Sequence, residues 1–296
     1  MSGGRRPRRV LLFCPATERR RIEKAAGLAA DGVILDLEDA VPPARKEEAR
    51  RAAVEALATI PFGGRECIVR VNSAASGLLD ADLRALALAP RPPDACLLPK
   101  VESAAEVRLA SRRLAALERR RRRGPRAALL ALVESARGIA RVAAIAAADR
   151  RLQALLFGAE DLMGDLGGIR SRDGREILYA RSAVAIHAAA AGLQAIDTPF
   201  VDLRDVEGLV ADTREGLALG YSGKMAIHPD QIAPILAVLT PTPGEIDAAV
   251  RLLREHERHR QRGAGVFTLD GRMVDRPMVR AAENVLLRAR RAGLVS

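Results

Sequence analysis

Ionisable and amide side chains stand where short apolar runs of this chain end. Asp36, Glu38 and Asp39 crowd into LDLEDAV (Leu35 to Val41), Arg70 and Asn72 close IVRVN, and Lys100 and Glu102 sit in LLPKVES. Glu134 follows LLALV, Glu160 and Asp161 follow LLFGA, Asp197 ends LQAID, and His228 ends GKMAIH. Carboxylates at the end of a buried strand repel one another and resist desolvation, so they need cations or a task. Glu134 and Asp161 supply hard oxygen ligands, too few to enclose an ion. That suits Mg2+, which keeps waters or substrate oxygens in its remaining positions. A zinc site is not expected: Cys14, Cys67 and Cys96 lie far apart in apolar runs, without Cys/His ligand spacing, and read as reduced core residues.

Each candidate has a plainer role to weigh. Asp161 before LMGDLG and Ser135 before ARGIARV are placed to cap helices. Arg70 could serve only as an ion-pair partner. Lys100, beside Glu102, lacks the apolar surroundings that would lower its pKa for Schiff-base chemistry. His228 precedes Pro229 and reads as a hydrogen-bonded structural residue rather than a base.

What must position these residues is a repeated strand. Eight runs apolar on both faces, RVLLFC, GVILDL, ECIVRVN, ACLLPKV, AALLALVE, ALLFGAED, LQAIDT and GKMAIHP, start near residues 9, 32, 66, 95, 127, 154, 193 and 223. Between them lie stretches of helical periodicity such as TERRRIEKAAGLAA. Continuously apolar strands alternating with amphipathic helices specify a parallel sheet covered by helices, and eight units predict a closed (β/α)8 TIM barrel. An open doubly wound sheet is the alternative, but no GxGxxG follows the first strand. The barrel is expected over residues 1–239. Residues 240–296 form a C-terminal extension of helix, hairpin with Asp270-Gly271 at its turn, and final helix. The run ERRRRRGPR, Glu118 to Arg126, reads as a solvated helix end.

The 296 residues are 49% hydrophobic, which excludes a disordered chain. Formal net charge is +11, which suits an anionic partner, but aromatics are only 2% with no Trp, so the stacking platforms of RNA and single-strand binders are nearly absent. Nucleic acid is therefore disfavoured. No segment reaches the length of a membrane span, and the apolar run after the basic N-terminus is too short for a secretory signal, so a cytoplasmic location is expected.

LLFCPAT with EKA (Leu11 to Ala25), LDLEDAV, IVRVN, LLPKVES, LVESARGI, FGAEDLMGDLG and GKMAIHPDQI occur in order along the chain. Together they resemble the citrate lyase β-subunit-like branch of the HpcH/HpaI aldolase superfamily, from about residue 8 to 290. The resemblance implies a Mg2+-dependent carbon–carbon lyase acting on a 3-hydroxyacyl-CoA such as malyl-CoA or citramalyl-CoA, giving acetyl-CoA or a homologue and a 2-oxo acid. It implies Glu134 and Asp161 as metal ligands, Arg70 as the contact to the reacting substrate oxygen, and Asp275, in FTLDGRMVDRP, as the catalytic acid/base. It also implies a homo-oligomer, a trimer or a multiple of one, in which the extension packs on a neighbouring subunit.

By strand alternation Asp36 and Glu38 should reach the barrel mouth as acceptors that orient Arg70, Lys100 or metal-bound water, Glu38 as a catalytic residue and Asp36, like Glu134, as a substrate-binding one, with Asp39 capping or bracing the following loop. Backbone N–H groups after Phe157 could take a substrate carboxylate, and the basic excess could serve the CoA phosphates. One departure is RPRRV where the family often carries an Arg-Ser pair. Rival readings are a malyl-CoA-type thioesterase, a citrate lyase complex subunit, which the absence of an acyl-carrier or transferase region disfavours, and a non-catalytic binding protein.

Overall fold

The computed structural model describes residues 6–120, 126–261 and 266–295. Its strands are β1 (Val10–Pro15), β2 (Gly32–Asp36), β3 (Glu66–Arg70), β4 (Ala95–Leu98), β5 (Ala128–Val133), β6 (Leu152–Phe157), β7 (Gln194–Asp197) and β8 (Gly223–Ala226). All pair in parallel in chain order, and β8 closes onto β1 with Lys224 opposite Val10. This is the (β/α)8 TIM barrel that the alternation of apolar runs and helical stretches predicts. Alternate side chains fill the interior: Leu11, Ile34, Ile68, Leu97, Leu130, Leu156, Ile196 and Met225 belong to one buried cluster. The intervening side chains face the helices and are mostly apolar.

Those helices are α1 (Arg19–Gly27), α2 (Lys46–Thr59), α3 (Leu79–Leu88), α4 (Ala104–Arg120), the short pair α5 (Ala136–Ala140) and α6 (Val142–Ala146), α7 (Ala159–Leu166), α8 (Leu178–Ala190), α9 (Val206–Leu219) and α10 (Ile232–Leu239). The run ERRRRRGPR starts at the end of α4, and residues 121–125 of it lie outside the described residues.

The N-terminal end of the barrel is held by one buried guanidinium. Arg8 donates to both carboxylate oxygens of Glu66 at 2.6 and 2.7 Å and to the side-chain oxygens of Gln194 at 2.6 Å and Gln153 at 2.7 Å. A Cβ on Gly223 would fall 1.8 Å from the Arg8 carbonyl oxygen, so only glycine lets β8 pass the entering chain.

The compact unit holding the barrel runs from Arg8 to Ile235, and the chain from Leu236 belongs to a second unit. The second unit contains α11 (Pro243–Gln261), β9 (Phe267–Leu269), β10 (Arg272–Val274) and α12 (Arg276–Arg291). Phe267, Val274 and Val279 form its small core, with Leu252, Leu253 and Met278 against them. Asp270 and Gly271 both take positive φ, 50° and 74°, as a two-residue hairpin turn requires.

Candidate active site

One step of alternation beyond the inner core brings a different set of side chains together. Phe13, Asp36, Arg70, Glu134, Gly158, Thr198 and Ile227 each follow a core residue by two positions, and with Asp161 they line a cavity of about 250 Å³. All stand at the C-terminal ends of the strands, where barrel enzymes carry chemistry.

Asp36 is the anchor of this site. Its two oxygens accept from Arg70 Nε at 2.7 Å and Nη2 at 2.6 Å, a fork-on-fork pair that fixes the guanidinium plane. The same oxygens accept the backbone N–H groups of Glu38 at 2.8 Å and Ala40 at 3.1 Å. Bracing the following loop, expected of Asp39, is therefore done by Asp36. Glu38 and Asp39 do not diverge to opposite sides either. β2 ends at Asp36, its alternation stops there, and both later carboxylates face the same cations. Lys100 Nζ lies 2.8 Å from Glu38 and 3.0 Å from Asp39, and Arg70 Nη1 lies 3.1 and 3.5 Å from them. The question of why three carboxylates crowd one strand end is answered by these two cations.

The Arg70 guanidinium also sits 4.8 Å from the centre of the Phe13 ring, a cation–π contact. Burial works against its charge, but Asp36, Glu38 and Asp39 more than offset this and raise its pKa. Burial likewise opposes the charge on Lys100, yet its bonds to Glu38 and Asp39 raise its pKa above the ordinary lysine value. It stays an ammonium, which removes it as a Schiff-base nucleophile. Burial pushes the Glu38 carboxyl up, partly countered by Lys100 and Arg70. In Asp39 the same two cations outweigh burial and hold it low.

Glu134 is 3% exposed and points into the cavity. One oxygen accepts the Lys100 backbone N–H at 2.8 Å, and Lys100 takes a left-handed φ of 50° there. A Cβ on Gly158 would meet the other Glu134 oxygen at 2.5 Å and its Cβ at 2.6 Å, so glycine is required where β6 turns into α7. Burial, and after it the neighbouring Asp161 carboxylate, push the Glu134 carboxyl well above the ordinary range. Among the described residues no Lys or Arg side chain forms an ion pair with Glu134 or Asp161, and no cluster of three His, Cys, Asp or Glu could hold a metal.

The remaining expected residues have other posts. Glu160 pairs with Arg170 at 2.9 Å, Glu102 with Arg137 at 3.0 Å, and Asn72 donates to Asp82 at 2.7 Å. Ser135 caps α5 through Gly138 N–H, whereas Asp161 lies inside the first turn of α7 and is not its cap. His228 accepts from the Asp230 N–H in a capping box, a structural role. Asp197 does not face the mouth. Ile196 occupies the inward position, so Asp197 points to the helix layer and pairs with Arg181 at 2.5 Å and Lys224 at 3.1 Å. Asp275 belongs to the second unit, where its carboxylate caps α12 by accepting the Met278 N–H at 3.3 Å.

Sequence reasoning missed Phe13, Gly158 and Thr198 as lining residues. The signal was available in the parity of two that selects Arg70 and Glu134.

A model of the HpcH/HpaI aldolase/citrate lyase family matches residues 9–229. Mitochondrial citramalyl-CoA lyase of Mus musculus is 36% identical over 288 residues, covering 95% of this chain and 85% of that protein. The (3S)-malyl-CoA thioesterase of Cereibacter sphaeroides is 38% identical over 284 residues, covering 96% and 95%. Among solved structures, the CitE protein of Mycobacterium tuberculosis in complex with magnesium, acetoacetate and coenzyme A superposes with a TM-score of 0.77 at 37% identity, over 96% of this chain and 98% of that one. With a family model over most of the chain and relatives matched over nearly all of it, this chain belongs to the HpcH/HpaI aldolase/citrate lyase family.

Proposed function

We propose that this protein is a Mg2+-dependent carbon–carbon lyase that cleaves or forms a 3-hydroxyacyl-CoA, with a 2-oxo acid as the second product or substrate. The observation that carries the reading is the pair Glu134 and Asp161. Asp36, Glu38, Asp39, Glu102 and Glu160 each have an Arg or Lys partner, while among the described residues these two share one cavity without any. Two hard carboxylates short of a cation are the donor set of an ion that keeps open positions for substrate oxygens. The magnesium in the CitE structure, and the lyase and thioesterase names of the relatives, support the assignment.

When bound, Mg2+ supplies Lewis acidity that lowers the pKa of a chelated hydroxyl and stabilises a forming 2-oxo acid. The chain's own groups do the rest. Glu134 and Asp161 would hold the cation, and the Lys100 N–H bond keeps Glu134 from turning away. Arg70, locked by Asp36, offers a fixed positive charge to the substrate oxygen that becomes the oxo group. Glu38 holds Lys100 and the third Arg70 nitrogen in place and acts as a positioning residue. The proton at the acyl carbon is assigned to Asp275, with the active unit a homo-oligomer. Backbone N–H groups of Glu160 and Asp161, in the first turn of α7 and without an acceptor inside the helix, are the donors for the substrate carboxylate.

The test is turnover of malyl-CoA and citramalyl-CoA, and of acetyl-CoA or propionyl-CoA with glyoxylate or pyruvate in reverse, followed by mass spectrometry with and without EDTA. Lyase activity that EDTA and Glu134→Gln both abolish supports the reading, and inactivity across the panel with Mg2+ present counts against it. The thioesterase relative favours a second reaction, attack of water on the thioester. Free CoA and hydroxy acid without any 2-oxo acid would establish that instead.

A further inference from the structure

Thr198 lines the cavity, and the mechanism assigns its hydroxyl no task. β7 ends at Asp197, and alternation sends that side chain outward while Thr198 turns inward, 1% exposed, into the cavity wall. Its hydroxyl oxygen accepts the Ala159 N–H at 3.1 Å. Ala159 is the first residue of α7, and Asp161 stands in the same turn.

The start of this helix is pinned from two strands. The Gly158 N–H donates to the Val133 carbonyl of β5 at 3.1 Å, next to Glu134, and the Ala159 N–H donates to Thr198 beyond β7. Thr198 is itself tethered: its carbonyl accepts Lys224 Nζ at 2.7 Å, and that ammonium is held by Asp197 at 3.1 Å and Asp212 at 2.5 Å. Arg181 grips Asp197 in turn at 2.5 and 3.0 Å. A chain of contacts thus runs from a buried ion network behind the barrel wall, through Thr198, to the turn that carries one carboxylate of the pair.

We propose that Thr198 is a positioning residue whose hydroxyl sets the start of α7, and through it the place of Asp161 opposite Glu134. The inference rests on the reading of those two carboxylates as the metal ligands. Mg2+ demands near-ideal octahedral geometry, so two ligands on different elements bind it well only if both elements are fixed. Loss of a supporting hydrogen bond behind a ligand commonly weakens metal affinity about 10–100-fold.

The experiment compares wild type, Thr198→Val, which keeps the shape but removes the acceptor, and Thr198→Ser, which keeps the hydroxyl. Mg2+ affinity is read by isothermal titration calorimetry, and amide hydrogen exchange over residues 158–163 is read by mass spectrometry on metal-free protein. Thr198→Val should bind Mg2+ at least about tenfold more weakly and exchange faster in this segment, with Thr198→Ser near wild type in both. Thr198→Ala replaces the valine variant if that does not fold. Unchanged affinity in Thr198→Val overturns the proposal, as does equal weakening in Thr198→Ser, which would make packing and not the hydroxyl responsible. Wild type that bound no Mg2+ would sink the metal reading, and the exchange comparison would then decide the role of Thr198 by itself.

Discussion

Glu134 and Asp197 are both buried carboxylates at the ends of barrel strands, 3% and 1% exposed, yet their surroundings are opposite. Asp197 lies on the outer face between Arg181 and Lys224, and these cations overcome the cost of burial and hold its carboxyl below the usual aspartate value. Glu134 lies on the inner face with Asp161 as its neighbour and no cation, and its carboxyl is pushed well above the usual range. The first arrangement is complete and holds β7, β8, α8 and α9 together. The second leaves two carboxylates side by side with no cationic side chain on them among the described residues, which is why the proposed function reads them as metal ligands. Burial alone does not separate a structural carboxylate from a functional one; the missing counter-charge does.

The contrast can be broken most forcefully by neutralising each member. Glu134→Gln should reduce turnover by about 10³-fold or more, since several kcal/mol of metal-based stabilisation is lost. It should also leave the metal-free protein at least as stable as wild type, because it removes an uncompensated buried charge. Asp197→Asn should do the reverse, costing about 3–5 kcal/mol in chemical denaturation by stranding Arg181 and Lys224. If Glu134→Gln destabilised the metal-free fold as much as Asp197→Asn, the distinction between the two sites would fail.

Gly158→Ala sharpens the comparison on the inner side. Its methyl would press on the Glu134 carboxylate, and overpacking of this kind costs about 1–3 kcal/mol. Melting curves and Mg2+ titration should show that modest cost together with weakened metal binding. Retained affinity would mean that the turn relaxes without moving Glu134.

A smaller effect separates the two carboxylates by pH. Asp197 has a lowered folded pKa, so its stabilisation is present above the unfolded aspartate value of about 3.9 and is lost as pH falls through the lower folded value. Glu134 has a raised folded pKa, so its protonated form favours the fold, and that contribution is lost as pH rises through the raised value. Metal-free wild type should therefore gain stability as pH is lowered from neutrality toward the ordinary carboxylate range. Glu134→Gln should lack that gain. An identical pH profile for the two proteins would contradict the assigned direction.

Much of this was legible in the residues before any coordinates. Continuous apolar runs from Val10 to Ala226 fixed the strand count and the barrel, because a strand covered on both faces cannot carry a polar side. The hairpin turn was legible from Asp270-Gly271, since positive φ at both positions restricts the residue choice. The division of labour within LDLEDAV was not. Alternation applies only while the strand lasts, and β2 stops at Asp36, so Glu38 and Asp39 obey loop geometry instead. The side on which Asp197 lies was not legible for a related reason: a strand end offers two faces, and one residue of parity decides between the cavity and the helix layer.

Hydrophobic periodicity and turn chemistry are local, so the barrel, the hairpin and the residue types gathered at the strand ends are already written in the order of the residues. The tertiary structure alone decided which charges meet: Asp36 with Arg70, Lys100 with Glu38 and Asp39, Arg181 and Lys224 with Asp197, and Glu134 with Asp161. Those partners lie on different strands and helices far apart in the chain. Whether a buried carboxylate is satisfied or left waiting depends on distances of a few ångströms that no local pattern encodes.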